Sequence, residues 1–575
     1  MKKSLLTLLV IGLTTQITLA VTSADMVFKN GDILTENSQQ PYAEAIAINN
    51  GKIVFVGSND KVAEYIGKNT KVDDLQGKFV MPSFIDSHAH PGMVAVTSSN
   101  GELAKYQLPT TSKEDTYAYL RKIAKENPNL PFLMVGTWSN PLWGVKGPDR
   151  KEIDEIFPNT VVILLDSSGH SYWLNSAALA AFGIDENTPD LKEGLSFFVK
   201  DENGRKTGWV KEFALMPYIA AAMPQVDSAL LAPAVQSYLD GLAKKGVASV
   251  MDAGNFNNEL TIIKAVQLLD KAGKLPVRYD VSHHLYMPDQ LKDAVKTVLD
   301  YRKQYSSDLL TFNTIKIHFD GVNEINTGAL LEDFANEKGN KGGMLYSEDE
   351  LKDLLLEMAP HKMNLHLHTV GDRAVRTALN AYEKAQKEYG KKLPVEMTLS
   401  HMEVVNPGDM NRFKELGVHA NFTPHWFGGT TFKGSDVALG PERYSHNQPA
   451  GSVLKAGASV GFSSDVVSKP QEYRANPFMG VQMGATRQET ELGKDTPVFG
   501  QKDDRISVAD MIKGYTINNA KAMGIADKTG SLEVGKSADF MVLPSNLIKM
   551  DVYKIKDVQP TAVYFQGKAV QLDKK

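Results

Sequence analysis

Short apolar or alternating runs, typical of β-strands, occupy both ends of the chain. These runs lie at residues 45–48, 52–56, 538–543 and 560–567. Asn49-Asn50-Gly51 separates the first two and is a tight-turn signal that predicts a hairpin. We therefore predict one small β-sandwich domain that combines residues 25–79 with residues 525–575.

Between these ends, apolar strands alternate with amphipathic helices, a pattern that predicts βαβ units and a parallel sheet. The helical patterns lie at residues 259–272, 348–358, 373–387 and 508–523. Ser347 and Glu350 form a capping box that predicts where the second of these helices begins. Strands are predicted at residues 79–90, 247–253, 277–284, 314–321, 364–371, 397–403, 418–425 and 460–467.

Eight strands joined by helices predict an α/β fold of the TIM type, a (β/α)₈ barrel that spans residues 80–524. The gap between the first two strands is too long for one helix, so residues from about 93 to 243 are predicted to form an insertion after strand 1. Long loops at the C-terminal mouth of a barrel usually shape the access of substrate.

A basic start and a short apolar run mark the beginning of the chain. Met1-Lys2-Lys3 precedes apolar residues 5–20, and candidate cleavage sites follow Ala20 and Ala24. This pattern predicts a secretory signal peptide at residues 1–24 and an exported protein, periplasmic or secreted. The alternative is an uncleaved anchor. The run is weaker than the ~20 apolar residues of a membrane-spanning helix, so no stable membrane anchor is expected.

Charge and cysteine content narrow the classes of partner and site. The formal net charge is -5 and no basic patch stands out, which argues against nucleic acid and leaves a small-molecule substrate as the expected partner. The chain contains no cysteine, so a metal would need His, Asp, Glu or a modified Lys as ligands. The sequence leaves a monomer and a homo-oligomer both open.

The strongest chemical signal is the run Phe84-Ile85-Asp86-Ser87-His88-Ala89-His90 at the end of the first predicted barrel strand. Two histidines at i and i+2 on a strand point to the same face, where they can share one cation. Hydrogen-bonded core histidines also occur in this pattern, so its surroundings decide between the two interpretations.

Four other predicted strands end in a candidate ligand or acid. They are Lys316 on strand four, His368 on strand five, His401 on strand six and Asp465 on strand eight. Because active sites of this fold lie at the C-terminal ends of the strands, these side chains are expected to converge with the histidine pair. For the lysine, the alternative is a buried ion pair with Asp320.

The order His-x-His, Lys, His, His and Asp resembles the metal-dependent amidohydrolase superfamily. Finer motifs resemble its family 3 branch, which includes N-substituted formamide deformylases. These motifs are Gly169-His170-Ser171-Tyr172-Trp173-Leu174-Asn175-Ser176, Lys316 with Asp320-Gly321, His368-Thr369-Val370-Gly371-Asp372-Arg373-Ala374 and Ser463-Ser464-Asp465. The resemblance covers nearly the whole chain after residue 24, and it specifies the fold and the metal site more than the substrate.

The resemblance implies metal ligands residue by residue. His88 and His90 are similar to the ligands of one ion, and His368 and His401 to those of a second. Lys316 matches the position at which two-metal members hold a carboxylated lysine between the ions. The implied cofactor is a divalent metal, with Zn²⁺ expected, as one ion or two, while iron, manganese and nickel stay open.

Two histidines outside this set, His170 and His425, are interpreted as substrate contacts. His170 lies in the insertion beside aromatic residues, and His425 ends the seventh predicted strand. The alternative for His170 is a loop histidine whose ring is satisfied by the backbone. The remaining histidines are interpreted as structural, except that His318 and His366 share the inward parity of the predicted ligands, which makes one of them a candidate pocket residue.

Together these features predict an exported hydrolase that cleaves a non-peptide C–N bond of an amide, N-acyl or N-formyl compound with a hydroxide held by the metal. The resemblance implies that Asp465 is catalytic: it takes the proton of the attacking group and passes it to the leaving nitrogen. One alternative is a lactone or phosphoester hydrolase on the same site. Another is a non-catalytic exported binding or regulatory protein.

Overall fold

The structure, a computed structural model, describes residues 23–99, 106–109, 111–222, 226–429 and 434–573. The predicted signal peptide lies outside these residues except for its last two positions. Within the described ranges, no helix is both long enough and apolar enough to cross a membrane.

A parallel sheet of eight strands forms the centre of the molecule. The strands are β1 (Phe84–Ala89), β2 (Val247–Asp252), β3 (Arg278–Leu285), β4 (Leu310–His318), β5 (Asn364–Thr369), β6 (Met397–His401), β7 (His419–Phe422) and β8 (Ser459–Phe462). They pair in chain order, and just beyond β8 the Asp465 amide donates to the His88 carbonyl at 2.9 Å. The predicted α/β fold with a nearly closed eight-stranded barrel is therefore confirmed.

The first predicted strand, residues 79–90, is divided in the structure. Phe79–Pro82 pairs with a strand from the C-terminal end of the chain, whereas β1 belongs to the barrel. Ser83 lies between them, and its amide donates to the Asp539 carbonyl at 3.1 Å. One apolar run thus contributes to two sheets, which its alternation alone does not reveal.

Barrel strands are buried along most of their length because helices cover the outside of the sheet. All six residues of β1 and of β5 are buried, as expected for parallel strands enclosed on both faces. The longer covering helices are Ser228–Lys244, Glu259–Lys271, Ala294–Tyr305, Glu348–Met358, Asp372–Tyr389 and Pro477–Thr486. The capping box of Ser347 and Glu350 is present and opens the fourth of these helices.

Strands from both ends of the chain form two further sheets. One contains Lys52–Gly57, Ala45–Asn49, Met26–Lys29 and Lys71–Asp74; the other contains Lys568–Ala569, Ala562–Phe565, Phe540–Leu543, Phe79–Pro82, Asp32–Leu34 and Tyr42–Ala43. Phe28 of the first sheet packs edge-on against Phe540 of the second, with ring centroids 5.1 Å apart. The predicted domain boundaries, and the reading of these sheets as one β-sandwich domain, stay predictions.

Between β1 and β2 the chain builds a five-stranded sheet. Its strands are Phe197–Lys200, Lys206–Lys211, Ser171–Leu174, Val161–Asp166 and Phe132–Trp138. Where the strand Lys206–Lys211 ends, Lys211 Nζ donates to the Ile325 carbonyl at 2.8 Å, and Thr327 Oγ1 donates to Glu212 at 2.5 Å. These bonds join the sheet to the loop after β4, so this part of the chain lies against the C-terminal mouth of the barrel.

Candidate metal centre

Three polar atoms meet where β1 and β8 end at the barrel mouth. The Nε2 atoms of His88 and His90 each lie 3.4 Å from Oδ1 of Asp465. Nδ1 of His90 donates to the carbonyl of Gly254 at 2.7 Å, an assignment that leaves the lone pair on Nε2. Two imidazole nitrogens and one carboxylate oxygen thus face a single point, as a shared cation requires.

Asp465 is ionised in this setting. Burial alone would raise the pKa of its carboxyl, but the adjacent His90 ring and the charges of Arg474 and Lys316 hold that pKa below its ordinary value. Its backbone φ is +47°, and that of His401 is +74°. Such left-handed conformations cost about 1–3 kcal/mol in non-glycine residues and cluster at functional sites.

Lys316 is fully buried on β4, and its Nζ lies 3.2 Å from Nε2 of His88. Burial lowers the pKa of its ammonium group to about 7, and the charge of Asp465 offsets this only partly. The alternative ion pair with Asp320 is not found. The carboxylate of Asp320 instead accepts three backbone N–H groups, from Ala329, Val370 and Gly371, each at 2.9 Å.

His401 connects the two sides of the mouth. Its ring centroid lies 4.7 Å from that of His88 and 4.5 Å from that of His368. The ring of Trp426 stacks on that of His401, with centroids 5.3 Å apart. Nδ1 of His401 is buried without a hydrogen-bond partner in the described part of the chain. Burial and neighbouring histidines lower the pKa of His401 and of His368 well below the ordinary value, so both rings are neutral.

A second group of potential ligands consists of His170, His318 and His368, whose ligand nitrogens lie within 4.8 Å of one another. His368 and His401, predicted to share an ion, are in ring contact. His170 and His318 also lie beside His368, although the sequence analysis did not assign either of them to a metal. Inward parity on β4 was the signal for His318. No local pattern marked the contact of His170 with the barrel.

The two predicted substrate contacts occupy different places. His170 lies in the loop before Ser171–Leu174, with its ring 5.4 Å from that of His368. His425 is buried against the helix Pro477–Thr486, where its Cε1 would lie 3.2 Å from a Cβ added at Gly480. Its neighbour Trp426, not singled out from the sequence, is the residue that stacks on a mouth histidine. Substrate contact by either histidine stays a prediction.

The sequence profile of the amidohydrolase family matches residues 71–571. The chain belongs to the amidohydrolase family. The predicted resemblance is therefore confirmed at the level of the family, and hydrolysis by a metal-dependent enzyme of this kind is the activity that the family supports.

Relatives of this amidohydrolase extend over most of its length. It is 25% identical to N-substituted formamide deformylase of Arthrobacter pascens, over 94% of this chain and 97% of the relative. It is 26% identical to exoenzymes regulatory protein AepA of Pectobacterium carotovorum subsp. carotovorum, over 78% and 95%. An uncharacterized metal-dependent hydrolase of Pyrococcus horikoshii shares the fold, with a TM-score of 0.65 at 21% identity, over 92% of this chain and 99% of that one.

The side chains at the mouth fit the divalent metal that an amidohydrolase requires. They offer imidazole nitrogens and a carboxylate, the donors that zinc and similar ions prefer. Nδ1 of His401 has no hydrogen-bond partner, and the buried ammonium of Lys316 has no carboxylate at ion-pair distance, among the described residues. Burying either group in this state costs free energy, which a bound metal or a modified lysine would remove.

Proposed function

We propose that the protein is a metal-dependent hydrolase that cleaves a non-peptide C–N bond in a small amide, N-acyl or N-formyl compound. The observation that carries this proposal is the position of Asp465, 3.4 Å from both His88 and His90 and ionised despite its burial. The similarity to a formamide deformylase along nearly the whole chain supports the choice of bond.

When bound, a divalent metal supplies an acidified water near neutral pH and polarises the substrate carbonyl. Asp465 accepts the proton of the attacking water and returns it to the leaving nitrogen, because an amine leaves poorly as an anion. His90 is held by Gly254, so its Nε2 keeps a fixed direction towards that carboxylate. Trp426 forms an apolar wall over His401, against which the acyl or amine part of the substrate can pack.

We propose Zn²⁺ at His88, His90 and Asp465, and carboxylation of Lys316. Carboxylation would convert the buried cation into an anion with two oxygen ligands and would remove the cost of an unpaired buried charge. Elemental analysis of protein purified without added metal tests the first statement. Electron density or ¹³C NMR after growth with labelled bicarbonate, in native protein, tests the second; a free ammonium group at Lys316 in the metal-loaded protein would contradict it.

A substrate panel tests the activity. Metal-loaded protein is assayed on an N-formyl amine, an N-acyl amine, a dipeptide, a lactone and a phosphoester. We expect turnover of the first two, with Asp465→Asn lowering kcat by about 10²–10⁴-fold when the two proteins are compared at equal metal content. Asp308→Asn, an exposed carboxylate that precedes β4 at the end of the strand opposite to the mouth, is the control and keeps wild-type turnover.

Other results of the panel would select another function. Preferred turnover of the lactone or phosphoester would reassign the reaction, since the same site can attack several electrophiles. Absence of turnover on every compound in metal-loaded protein would favour a binding or regulatory protein, a function that the name of the Pectobacterium relative suggests.

We also propose that the protein is exported, as the basic and apolar start of the chain suggests. Its mature form would begin after Ala20 or Ala24 and would meet a small-molecule substrate outside the cytoplasm. Intact mass of the native protein locates the amino terminus, and cell fractionation locates the protein. An unprocessed amino terminus in a cytoplasmic fraction would contradict this proposal.

A further inference from the structure

Three imidazoles converge on one point from three separate parts of the fold. His170 comes from the loop before the strand Ser171–Leu174, His318 from the end of β4 and His368 from β5. Their ring centroids lie 5.8, 5.4 and 4.7 Å apart for the pairs 170–318, 170–368 and 318–368. Nitrogens that share a tetrahedral zinc at about 2.0–2.1 Å lie roughly 3.4 Å apart, so small ring rotations bring the three nitrogens to one ion.

A carboxylate orients the first of these rings. Nδ1 of His170 lies 2.6 Å from Oε2 of Glu212, and the other oxygen of Glu212 accepts a hydrogen bond from Thr327 at 2.5 Å. The His170 ring therefore uses Nδ1 for the carboxylate, and a cation would bind Nε2 in place of its proton. A carboxylate behind a histidine in this way is the usual support of a metal ligand.

A second histidine orients His318. Its Nδ1 lies 2.6 Å from Nε2 of His284 on β3, so the remaining nitrogen, Nε2, is the one available to a ligand. His318 and His368 occupy directly opposite positions of neighbouring strands and point to the same side of the sheet.

The loop that carries His170 is held in place before any ligand arrives. Oδ1 of Asp166 accepts the backbone N–H groups of His170 at 3.1 Å and of Ser171 at 3.0 Å, and its Oδ2 accepts from Asn140 at 2.9 Å. Gly169 adopts φ +82°, which the tight turn requires. The ring position is thus set by the backbone rather than by a free side chain.

We propose that His170, His318 and His368 bind a second divalent cation, separate from the cation of His88, His90 and Asp465. This inference deepens the proposed function and rests on it, since both ions would serve one mouth. It differs from the expectation that His368 and His401 hold the second ion. Because His170 directly precedes the strand Ser171–Leu174, the cation would tie the five-stranded sheet to the barrel.

Zinc titration of metal-free protein, followed by equilibrium dialysis and elemental analysis, tests this proposal without any substrate. We expect two equivalents in the wild type and one in His318→Phe, while His88→Ala also keeps one. A count of two in His318→Phe with unchanged affinities, or a wild type that binds one ion and is unaffected by His318→Phe, would overturn the proposal. Circular dichroism shows whether each variant is folded.

A milder variant covers the case in which His318→Phe does not fold. Glu212→Gln keeps the size of the side chain but removes the charge behind His170, and we expect the second ion to bind about 10–100-fold more weakly. Glu396→Gln is the matched control, because Glu396 faces His419 at 3.1 Å at the start of β7. Equal affinity for the second ion in Glu212→Gln and in the control would contradict the proposal.

The zinc titration tests the second metal site and the substrate panel tests the proposed function, so either proposal can be contradicted without the other. Two zinc equivalents that depend on His318 would stand even if no C–N compound were turned over. Turnover of a formamide by a protein that binds one ion would remove the second site and leave the proposed function intact.

Discussion

Nε2 of His366 lies 2.9 Å from Nδ1 of His88 inside the barrel. On the opposite side of the same ring, Lys316 Nζ donates to Nε2 of His88, which places the lone pair there. We therefore assign the proton to Nδ1 of His88, from which it is donated to His366. His366 acts as a positioning residue that keeps His88 in the tautomer a metal ligand needs.

Substitution of His366 tests this relationship. His366→Phe removes the acceptor, and we expect zinc to bind at His88 and His90 about 10–100-fold more weakly. His366→Gln offers an amide oxygen to the same N–H group and should restore most of the affinity. Competition with a chromogenic chelator measures both constants. Equal affinities of the two variants would show that the hydrogen bond does not orient His88.

Gly254 supports His90 through its carbonyl and leaves no space for a side chain. Its φ is +136°, and an added Cβ would lie 2.4 Å from Nδ1 of His284. We expect Gly254→Ala to weaken zinc binding at the His90 group by roughly tenfold, because the carbonyl or the histidine must move. Gly273→Ala, at φ +64° with open space around it, controls for backbone strain alone. Affinity lost to the same extent in both variants would contradict a specific role of Gly254.

Asp280 predicts a pH dependence of stability away from the metal centre. Burial raises the pKa of its carboxyl to about 6, although Thr311, Thr314 and Asn313 donate hydrogen bonds to it. The folded state therefore holds a proton that the unfolded state has released between pH 4 and 6. The contribution of this group to stability is fully present below its unfolded pKa of about 3.8 and is lost as pH rises to about 6.

Urea unfolding of wild type and Asp280→Asn between pH 4 and 7 measures this effect. The stability of the wild type relative to the variant should fall by about 3 kcal/mol over that range, since each unit of pKa corresponds to about 1.4 kcal/mol. Asp308→Asn should show no such trend. A difference that stays constant with pH would show that Asp280 is ionised throughout.

Arg278 of β3 and Asp539, next to the strand Phe540–Leu543, form an ion pair at 2.6 Å with the carboxylate fully buried. Arg278→Met leaves this charge without its partner, and we expect a loss of about 3–5 kcal/mol in the free energy of unfolding. Lys296→Met breaks an exposed pair on one helix and should change stability by less than about 1 kcal/mol. Urea unfolding compares the two, and equal small losses would contradict the assignment.

The positions of the barrel strands follow from the sequence because a parallel strand that is buried on both faces appears as a short continuous apolar run. All eight predicted strands are present, with ends that differ by a few residues. Parity along β1 likewise places His88 and His90 on one face. The division at Ser83 could not be predicted from the sequence, since an apolar run has the same pattern whether its residues belong to one sheet or to two.

The sequence by itself determined which side chains stand at the ends of the strands and that they suit a divalent metal. Only the tertiary structure decided that His170 and His318 lie beside His368 and that His366 contacts His88. It also decided that the carboxylate of Asp320 accepts hydrogen bonds from backbone amides instead of pairing with Lys316. The physical reason is range: periodicity and capping are set by neighbouring residues, whereas these contacts depend on barrel closure and on where a distant loop is anchored.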